Sequence, residues 1–287
     1  AAQVASGRAL RADDFVFGSY RETGVAYTRG IDPVAIARVW RGAAASAWNP
    51  FEANMATSQV IIGAQTLHAT GYAMGVQADG ADSVAVAYFG DGAMSEGDVS
   101  EAMIFAATFQ APVVFFCQNN QFAISEPVTL QSTVPLADRP AGFGIPSVRV
   151  DGNDVLAVTA AMRQALDRAR TGGGPSFIEA VTYRMGPHTT ADDPTRYRDP
   201  AELEVWGRRD PISRLRTLLE TMGAAGPELE TRVAASADRV AAALRAGIKE
   251  MADPEPMTVF DHVYAEPHTE LDRQRDDYAR YLEGFSE

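Results

Sequence analysis

The sequence is poor in four things, and each absence excludes something. Cys117 is the only cysteine among 287 residues, so there is no intramolecular disulfide framework, and the thiol content fits a reducing cytosol. No run of about 18 apolar residues occurs, which excludes a membrane-spanning helix. No charged-then-apolar leader opens the chain, so nothing in it signals export. Positive charge is also scarce. Lys and Arg number 25 against 38 Asp and Glu, a formal net charge of −13, and such a surface repels nucleic acid and anionic lipid. Lys249 is the one lysine and every other cation is arginine, which with the abundant alanine reads as the codon usage of a GC-rich bacterial genome. A cytoplasmic protein is the resulting expectation. There is no internal repeat and no low-complexity tract. What remains is 46% apolar and 22% charged, enough for one substantial α/β domain with a helical extension.

Hydrophobic patterning places the elements. Residues 1–10 read as the tail of a helix already in progress, with upstream residues expected to be missing from this numbering. Residues 13–30 read as a loop carrying Phe15, Phe17 and the pair Tyr20-Arg21. Pro33 opens a short helix over 34–40, 42–57 is irregular, and 58–77 is a helix rich in glycine and alanine. Two short apolar runs, 83–89 (SVAVAYF) and 112–117 (PVVFFC), are buried strands flanking a helix over 97–109. Strand, helix and strand at this length predict a right-handed βαβ unit in a parallel sheet. Further strands are expected at 148–150 and 175–183, with a helix capped by Asp154 between them. Residues 184–198 are a polar loop containing His188. Helices follow over 212–222, 227–251 and 271–283. The expected division is an α/β domain over 1–200 and a helical extension over 201–287.

The chemistry concentrates at two strand ends. Gly90-Asp91-Gly92 closes the first strand, where glycines permit a close backbone approach to phosphate and the next helix N-terminus favours negative charge. The second strand ends in Asn119-Asn120, 29 positions beyond Asp91. Adjacent parallel strands would bring the Asp91 carboxylate and the Asn120 amide to one edge, and with a backbone carbonyl they suit Mg²⁺ whose octahedron a diphosphate completes. Two ordinary turns would also use Gly, Asp and Asn; the paired spacing after two strands favours the ion site. Other candidates have simpler readings. Cys117 is an inert buried thiol, His68 packs within its helix, residues 151–154 form a turn and cap, and His262 and His268 carry no assigned role.

The pair Gly-Asp-Gly and Asn-Asn resembles the thiamine-diphosphate and magnesium motif, and the string YFGDGAMSEGDVSEAMIFAATFQAPVVFFCQNNQFAIS extends the likeness. With SYRETG, IIGAQ, RVDGNDVLAV and YRMGPHTTADDPTRYR, it resembles the α subunits of the decarboxylating component of 2-oxoacid dehydrogenase complexes. The C-terminal FDHVY is most similar to the branched-chain members. The resemblance implies the thiamine-diphosphate-binding α/β fold, a mostly parallel sheet flanked by helices. It implies Asp91, Asn120 and the Phe122 carbonyl as Mg²⁺ ligands, and Gly90, Gly92 and the Ala93 amide against the diphosphate. Arg21 would pair with a phosphate oxygen, with Tyr20 beside it. Ile62 would prop the cofactor in a bent shape, the Val60 carbonyl would meet its aminopyrimidine, and His188 would face the diphosphate and the reacting centre. The implied partners are a β subunit, in an α₂β₂ heterotetramer and supplying the activating glutamate, and the lipoyl-bearing acyltransferase core. The implied substrate is a branched-chain 2-oxoacid such as 3-methyl-2-oxobutanoate, with pyruvate and then acetoin as alternatives.

Departures from the family pattern are visible. Gln118 stands where branched-chain relatives often carry arginine, and Ala64 stands where some relatives have a hydroxyl residue in a monovalent-cation site, beside a retained Gln65. Thr189 stands at the place of a phosphorylated serine in animal relatives. Two different classes compete with the enzyme reading. One is an inactive scaffold subunit, which the intact Asp91 and Asn120 oppose. The other is a nucleotide-binding dehydrogenase, disfavoured because the strand leads into Gly-Asp-Gly and not Gly-x-Gly-x-x-Gly.

Overall fold

A computed structural model describes residues 1–43, 46 and 48–285. Five strands form its sheet: β1 (Phe15–Phe17), β2 (Ala85–Gly90), β3 (Val113–Asn119), β6 (Ser147–Asp151) and β7 (Ser176–Val181). They lie in the order β1-β2-β3-β7-β6 and every pairing is parallel. A two-stranded hairpin, β4 (Phe122–Ala123) and β5 (Glu126–Pro127), stands apart at the exit of β3. Twelve α-helices are described. Those around the sheet are α1 (Ala2–Ala9), α2 (Thr23–Thr28), α3 (Pro33–Trp40), α4 (Pro50–Ala53), α5 (Ala64–Ala78), α6 (Gly97–Phe109), α7 (Val128–Gln131) and α8 (Val155–Arg170). Beyond them come α9 (Pro200–Gly207), α10 (Pro211–Thr221), α11 (Pro227–Glu250) and α12 (Thr269–Glu283).

Both faces of the sheet are covered, which is why its central strands read as unbroken apolar runs. Strand periodicity sends alternate residues to opposite sides. Val86, Tyr88, Val114, Phe116 and Ile178 pack with Val158, Met162 and Leu166 of α8 and with α1. Ala85, Ala87, Phe89, Val113, Phe115 and Phe177 pack with Ala69 and Ala73 of α5 and with Ala102, Met103 and Ala106 of α6. Alanines on both sides of this second interface let the helices lie close to the strands. Asp154 caps α8 as expected, accepting from the Leu156 and Ala157 amides at 2.9 and 3.0 Å.

Three expectations need correction. The aromatic stretch read as a loop contains β1 and α2. β1 is held by its parallel register, Phe15 opposite Ala85, and three residues are too few for periodicity to show. The small-residue helix starts at Ala64 and not at 58, because Gly63 adopts φ +88° at its N-cap and leaves Val60–Ile62 in an exposed loop. His68 lies on the exposed face of α5 and packs against no core. The expected irregular stretch 42–57 falls partly outside the described residues. Its described part includes the single turn α4 and Met55, which bridges to Val16.

Tyr183 is the last buried residue, and none of the described residues from 184 onward is buried. The C-terminal helices dock through a few polar and aromatic contacts. Arg214 pairs with Asp151 at 2.7 Å, Arg41 donates to the Ile248 carbonyl at 2.8 Å, and Trp206 stacks on Tyr183 with centroids 5.5 Å apart. Gly247 lets α11 approach α3: a Cβ there would lie 2.5 Å from Val34 Cγ1.

Candidate active site

β2 and β3 are neighbours, with Gly90 opposite Gln118, so Asp91 and Asn120 emerge together at the C-terminal edge of the sheet. Asp91 Oδ1 accepts from the Asn120 amide at 3.2 Å. Asn120 Oδ1 accepts from the Phe122 amide at 3.1 Å. Both bonds are donated by backbone N–H groups, and they tie the three residues named as ion ligands into one turn. The turn that carries them is bent sharply, with Gln121 at φ +72° and Ile124 at φ +55°. A β-branched residue in that region is costly and persists only where surrounding structure enforces it. Here the Ile124 carbonyl accepts from Arg184 Nη2. Gly92 must be glycine because a Cβ would lie 2.8 Å from that of Ala123; Gly90 faces open space.

Asp91 is 1% exposed, and burial pushes its carboxyl above the ordinary value, partly opposed by donation from Gln131. Gln131 Nε2 reaches Oδ2 at 3.2 Å. No ion pair to Asp91 occurs among the described residues, so a buried carboxylate stands without a cation at a strand edge. A divalent ion would satisfy it. No group of three His, Cys, Asp or Glu side chains suited to a metal occurs among the described residues. One carboxylate, one amide and one carbonyl leave the rest of an octahedron to an anionic ligand.

Arg21 and His188 meet although they are far apart in sequence. Arg21 Nη2 donates to the His188 carbonyl at 2.8 Å, and Nη1 lies 3.2 Å from His188 Nδ1. A guanidinium only donates, so Nδ1 is the acceptor and the ring is neutral with its proton on Nε2. Burial, Arg21 and Arg184 all lower the His188 pKa, in agreement with a neutral ring. Arg184 joins this group to the ion cluster. It donates to the Phe122 carbonyl at 3.1 Å and to the Tyr197 hydroxyl at 2.8 Å, and lies 3.5 Å from His188 Nδ1. Asp192 closes the loop by accepting from the His188 amide at 2.7 Å and from Tyr197 at 2.5 Å.

Tyr20 sits against Trp40, with the Arg21 guanidinium over its ring at 5.4 Å. Val60 and Ile62 lie in the neighbouring exposed loop, 67% and 42% accessible. The Gln59 amide ties that loop to the Ser19 carbonyl at 3.2 Å, and Gly63 seats it against Glu96 and Val99 at the start of α6. Ala93 is buried in the single turn after Asp91. Sequence reasoning missed Gln131 and gave no role to Arg184, Asp192 or Tyr197. The dense charge of 184–198 is the one signal that pointed to them.

A parallel sheet covered on both faces, with polar residues gathered at its C-terminal edge, defines an α/β fold of the open-sheet class. Residues 1–255 match the family described as Dehydrogenase E1 component, and the chain belongs to that family. Over 277 residues it is 50% identical to the 3-methyl-2-oxobutanoate dehydrogenase subunit alpha of Mycobacterium tuberculosis, covering 96% of this chain and 76% of the relative. It is 38% identical over 290 residues to the pyruvate dehydrogenase E1 component subunit alpha of Acholeplasma laidlawii, covering 99% and 83%. Among solved structures it resembles a chain described as a thiamin diphosphate-dependent enzyme from Mycobacterium smegmatis, at 22% identity and a TM-score of 0.45. That match covers 64% of this chain and 31% of the other, too distant to bear on the site.

Proposed function

We propose that this chain is the α subunit of a thiamine-diphosphate- and Mg²⁺-dependent 2-oxoacid dehydrogenase. It would decarboxylate a branched-chain 2-oxoacid of the 3-methyl-2-oxobutanoate type and pass the acyl group to lipoamide on an acyltransferase core. The carrying observation is that Asp91, Asn120 and Phe122 are tied into one turn at a strand edge, which Arg184 joins to His188 and Arg21. The 50% identity to a named branched-chain α subunit favours that substrate, and the pyruvate relatives keep pyruvate as the second reading. Acetoin cleavage is a weaker third.

Bound thiamine diphosphate would supply a carbon nucleophile and an electron sink for decarboxylation. Asp91, Asn120 and the Phe122 carbonyl would hold the ion that carries its diphosphate, and Arg21 would pair with a phosphate oxygen through its planar fork. Gly90, Gly92 and the Ala93 amide would leave room for that diphosphate. Tyr20, Val60 and Ile62 would line the wall, with Ile62 and the Val60 carbonyl directed at the rings. His188, neutral and holding its proton on Nε2, would donate to negative charge developing at the reacting centre and assist acyl transfer. The Phe122 carbonyl, which accepts from Arg184, has a second lone pair with which it would meet the ion.

A β subunit, giving an α₂β₂ assembly, would complete the site. The outer faces of α5 and α6 support such a partner. Leu67, Tyr72, Ile104, Phe105 and Phe109 are exposed there, and Gly71 and Gly75 leave open space on α5. Exposed apolar side chains gathered on two neighbouring helices are the kind of surface that a protein partner would cover. The reading also places the protein in the cytoplasm, and no helix of the described residues is long and apolar enough to cross a membrane.

Calorimetry with thiamine diphosphate and Mg²⁺ tests the reading on the chain co-produced with its β partner. Saturable, Mg²⁺-dependent binding is expected; no heat would return the chain to a scaffold role. kcat/KM on 3-methyl-2-oxobutanoate against pyruvate then decides the substrate. One methyl more or less is worth about 1–3 kcal/mol in an apolar pocket.

A further inference from the structure

Beneath the Tyr20-Arg21 turn lies a buried polar circuit that the ion site does not use. Glu22 is 5% exposed and forms no ion pair among the described residues. Ser19 Oγ donates to both its oxygens, at 3.1 and 2.9 Å, and Gln118 Nε2 donates to Oε1 at 2.7 Å. Gln118 Oε1 in turn accepts from Gln3 Nε2 at 2.9 Å. Gln3 Nε2 also donates to the Arg21 carbonyl at 3.0 Å, while Gln3 Oε1 accepts from the Gly24 amide at 2.9 Å. The circuit begins and ends on the turn and passes through the penultimate residue of β3, two positions before Asn120.

The backbone is shaped to fit this circuit. A Cβ on Gly18 would lie 3.3 Å from Glu22 Oε2, and one on Gly24 would lie 2.9 Å from Gln3 Oε1. A buried carboxyl without a cation is a costly choice for mere space filling, since apolar side chains fill such sites at less cost. Burial pushes the Glu22 carboxyl up, against the donors that favour its charged form. Arg21 itself is exposed and its guanidinium reaches across to His188, so its aim depends on how firmly its backbone is held.

We propose that Glu22 is a positioning residue whose side chain, through Ser19 and Gln118, locks the Tyr20-Arg21 turn to the end of β3. One network then sets both the anion-binding arginine and the ion-binding amide. This rests on the cofactor site proposed above.

The test uses Glu22→Ala, Glu22→Gln and Gln118→Leu in the chain co-produced with its β partner, with two readouts. The first is amide hydrogen exchange without cofactor. Glu22→Ala is expected to raise exchange in 18–24 and in 118–122 together, leaving 97–109 unchanged. The second is the calorimetric Kd for thiamine diphosphate with Mg²⁺, expected to weaken about tenfold. Gln118→Leu is expected to match it, and the double variant to be no worse than either single one. Glu22→Gln, which keeps an acceptor for Gln118 and Ser19, is expected to stay within about twofold of wild type in Kd. Loosening confined to 18–24, an unchanged Kd in Glu22→Ala, additive losses in the double variant, or a Glu22→Gln as impaired as Glu22→Ala would each overturn the proposal. Should Glu22→Ala fail to fold, Ser19→Ala removes one donor and is read in the same way. A wild-type chain that binds no thiamine diphosphate sinks the functional reading instead, while the exchange readout still decides whether the network exists.

Discussion

Asp91 holds a charge that the unloaded fold disfavours. Its carboxyl is raised above its unfolded value by burial, so the unfolded chain ionises more readily at neutral pH and the charge opposes folding there. Asp91→Asn should therefore raise Tm without cofactor, with Gln131 turning its unpartnered Oε1 toward the new amide. The same change should weaken Mg²⁺-dependent cofactor binding on the order of 100-fold by calorimetry. Opposite signs in the two measurements would separate a charge kept for a ligand from one kept for folding. At His188 the split is different. Its side chain accepts from Arg21 and touches no ion ligand, so His188→Ala should leave thiamine diphosphate affinity within about threefold of wild type. Reductive acylation should be slowed, and a variant that acylates lipoamide at the wild-type rate would remove His188 from the reaction. Asp91 and Asn120 were legible in the sequence because each follows a strand built on an apolar run, so their spacing translates directly into one sheet edge. Gln131, Arg184 and Tyr197 were not. They reach the site by side-chain length from loops and short turns, where no periodicity fixes direction.

At the scale of elements, legibility followed burial. β2, β3, α6 and α8 appear in the sequence close to their observed limits because both faces of the sheet are covered and Asp154 marks a helix start. β1 is three residues long and was hidden among aromatics. Val60 and Ile62 misled in the opposite way: the helix expected over 58–77 included them, yet they lie exposed in the loop before α5. Phe116 is fully buried in β3 and contacts Tyr88, so Phe116→Ala should cost about 3–5 kcal/mol in denaturant unfolding. The loop over 184–198 is a different kind of element, built from polar contacts. Asp192 accepts from the His188 amide and the Tyr197 hydroxyl, and these bonds hold its carboxyl below the ordinary range. A depressed carboxyl contributes fully above its unfolded value, about 3.9, and its contribution fades as pH falls through the lower folded value. Amide protection at His188 should hold from neutral pH down to about pH 4 and fall in more acidic solution. Loss of protection already at pH 6 would point to some other titrating group.

The whole molecule is divided in how it is held. Residues up to Tyr183 surround the sheet, whereas the helices from α9 onward are tethered by Arg41, Arg214, Trp206 and the close approach at Gly247. A net charge of −13 keeps such molecules apart, yet α6 turns Ile104, Phe105 and Phe109 outward. Phe105→Asp should leave the fold intact, because the side chain is 48% exposed, and should release the β partner on sizing at micromolar concentration. Co-elution unchanged by that variant would move the interface elsewhere. The sheet itself has a further consequence for unfolding. Neighbouring residues of one strand, Tyr88 and Phe89 or Phe115 and Phe116, serve opposite apolar clusters. A strand that leaves one cluster must leave the other, so the two sides share every hinge and have no seam between them. Heating should dissolve them in a single calorimetric peak, with the C-terminal helices free to loosen earlier.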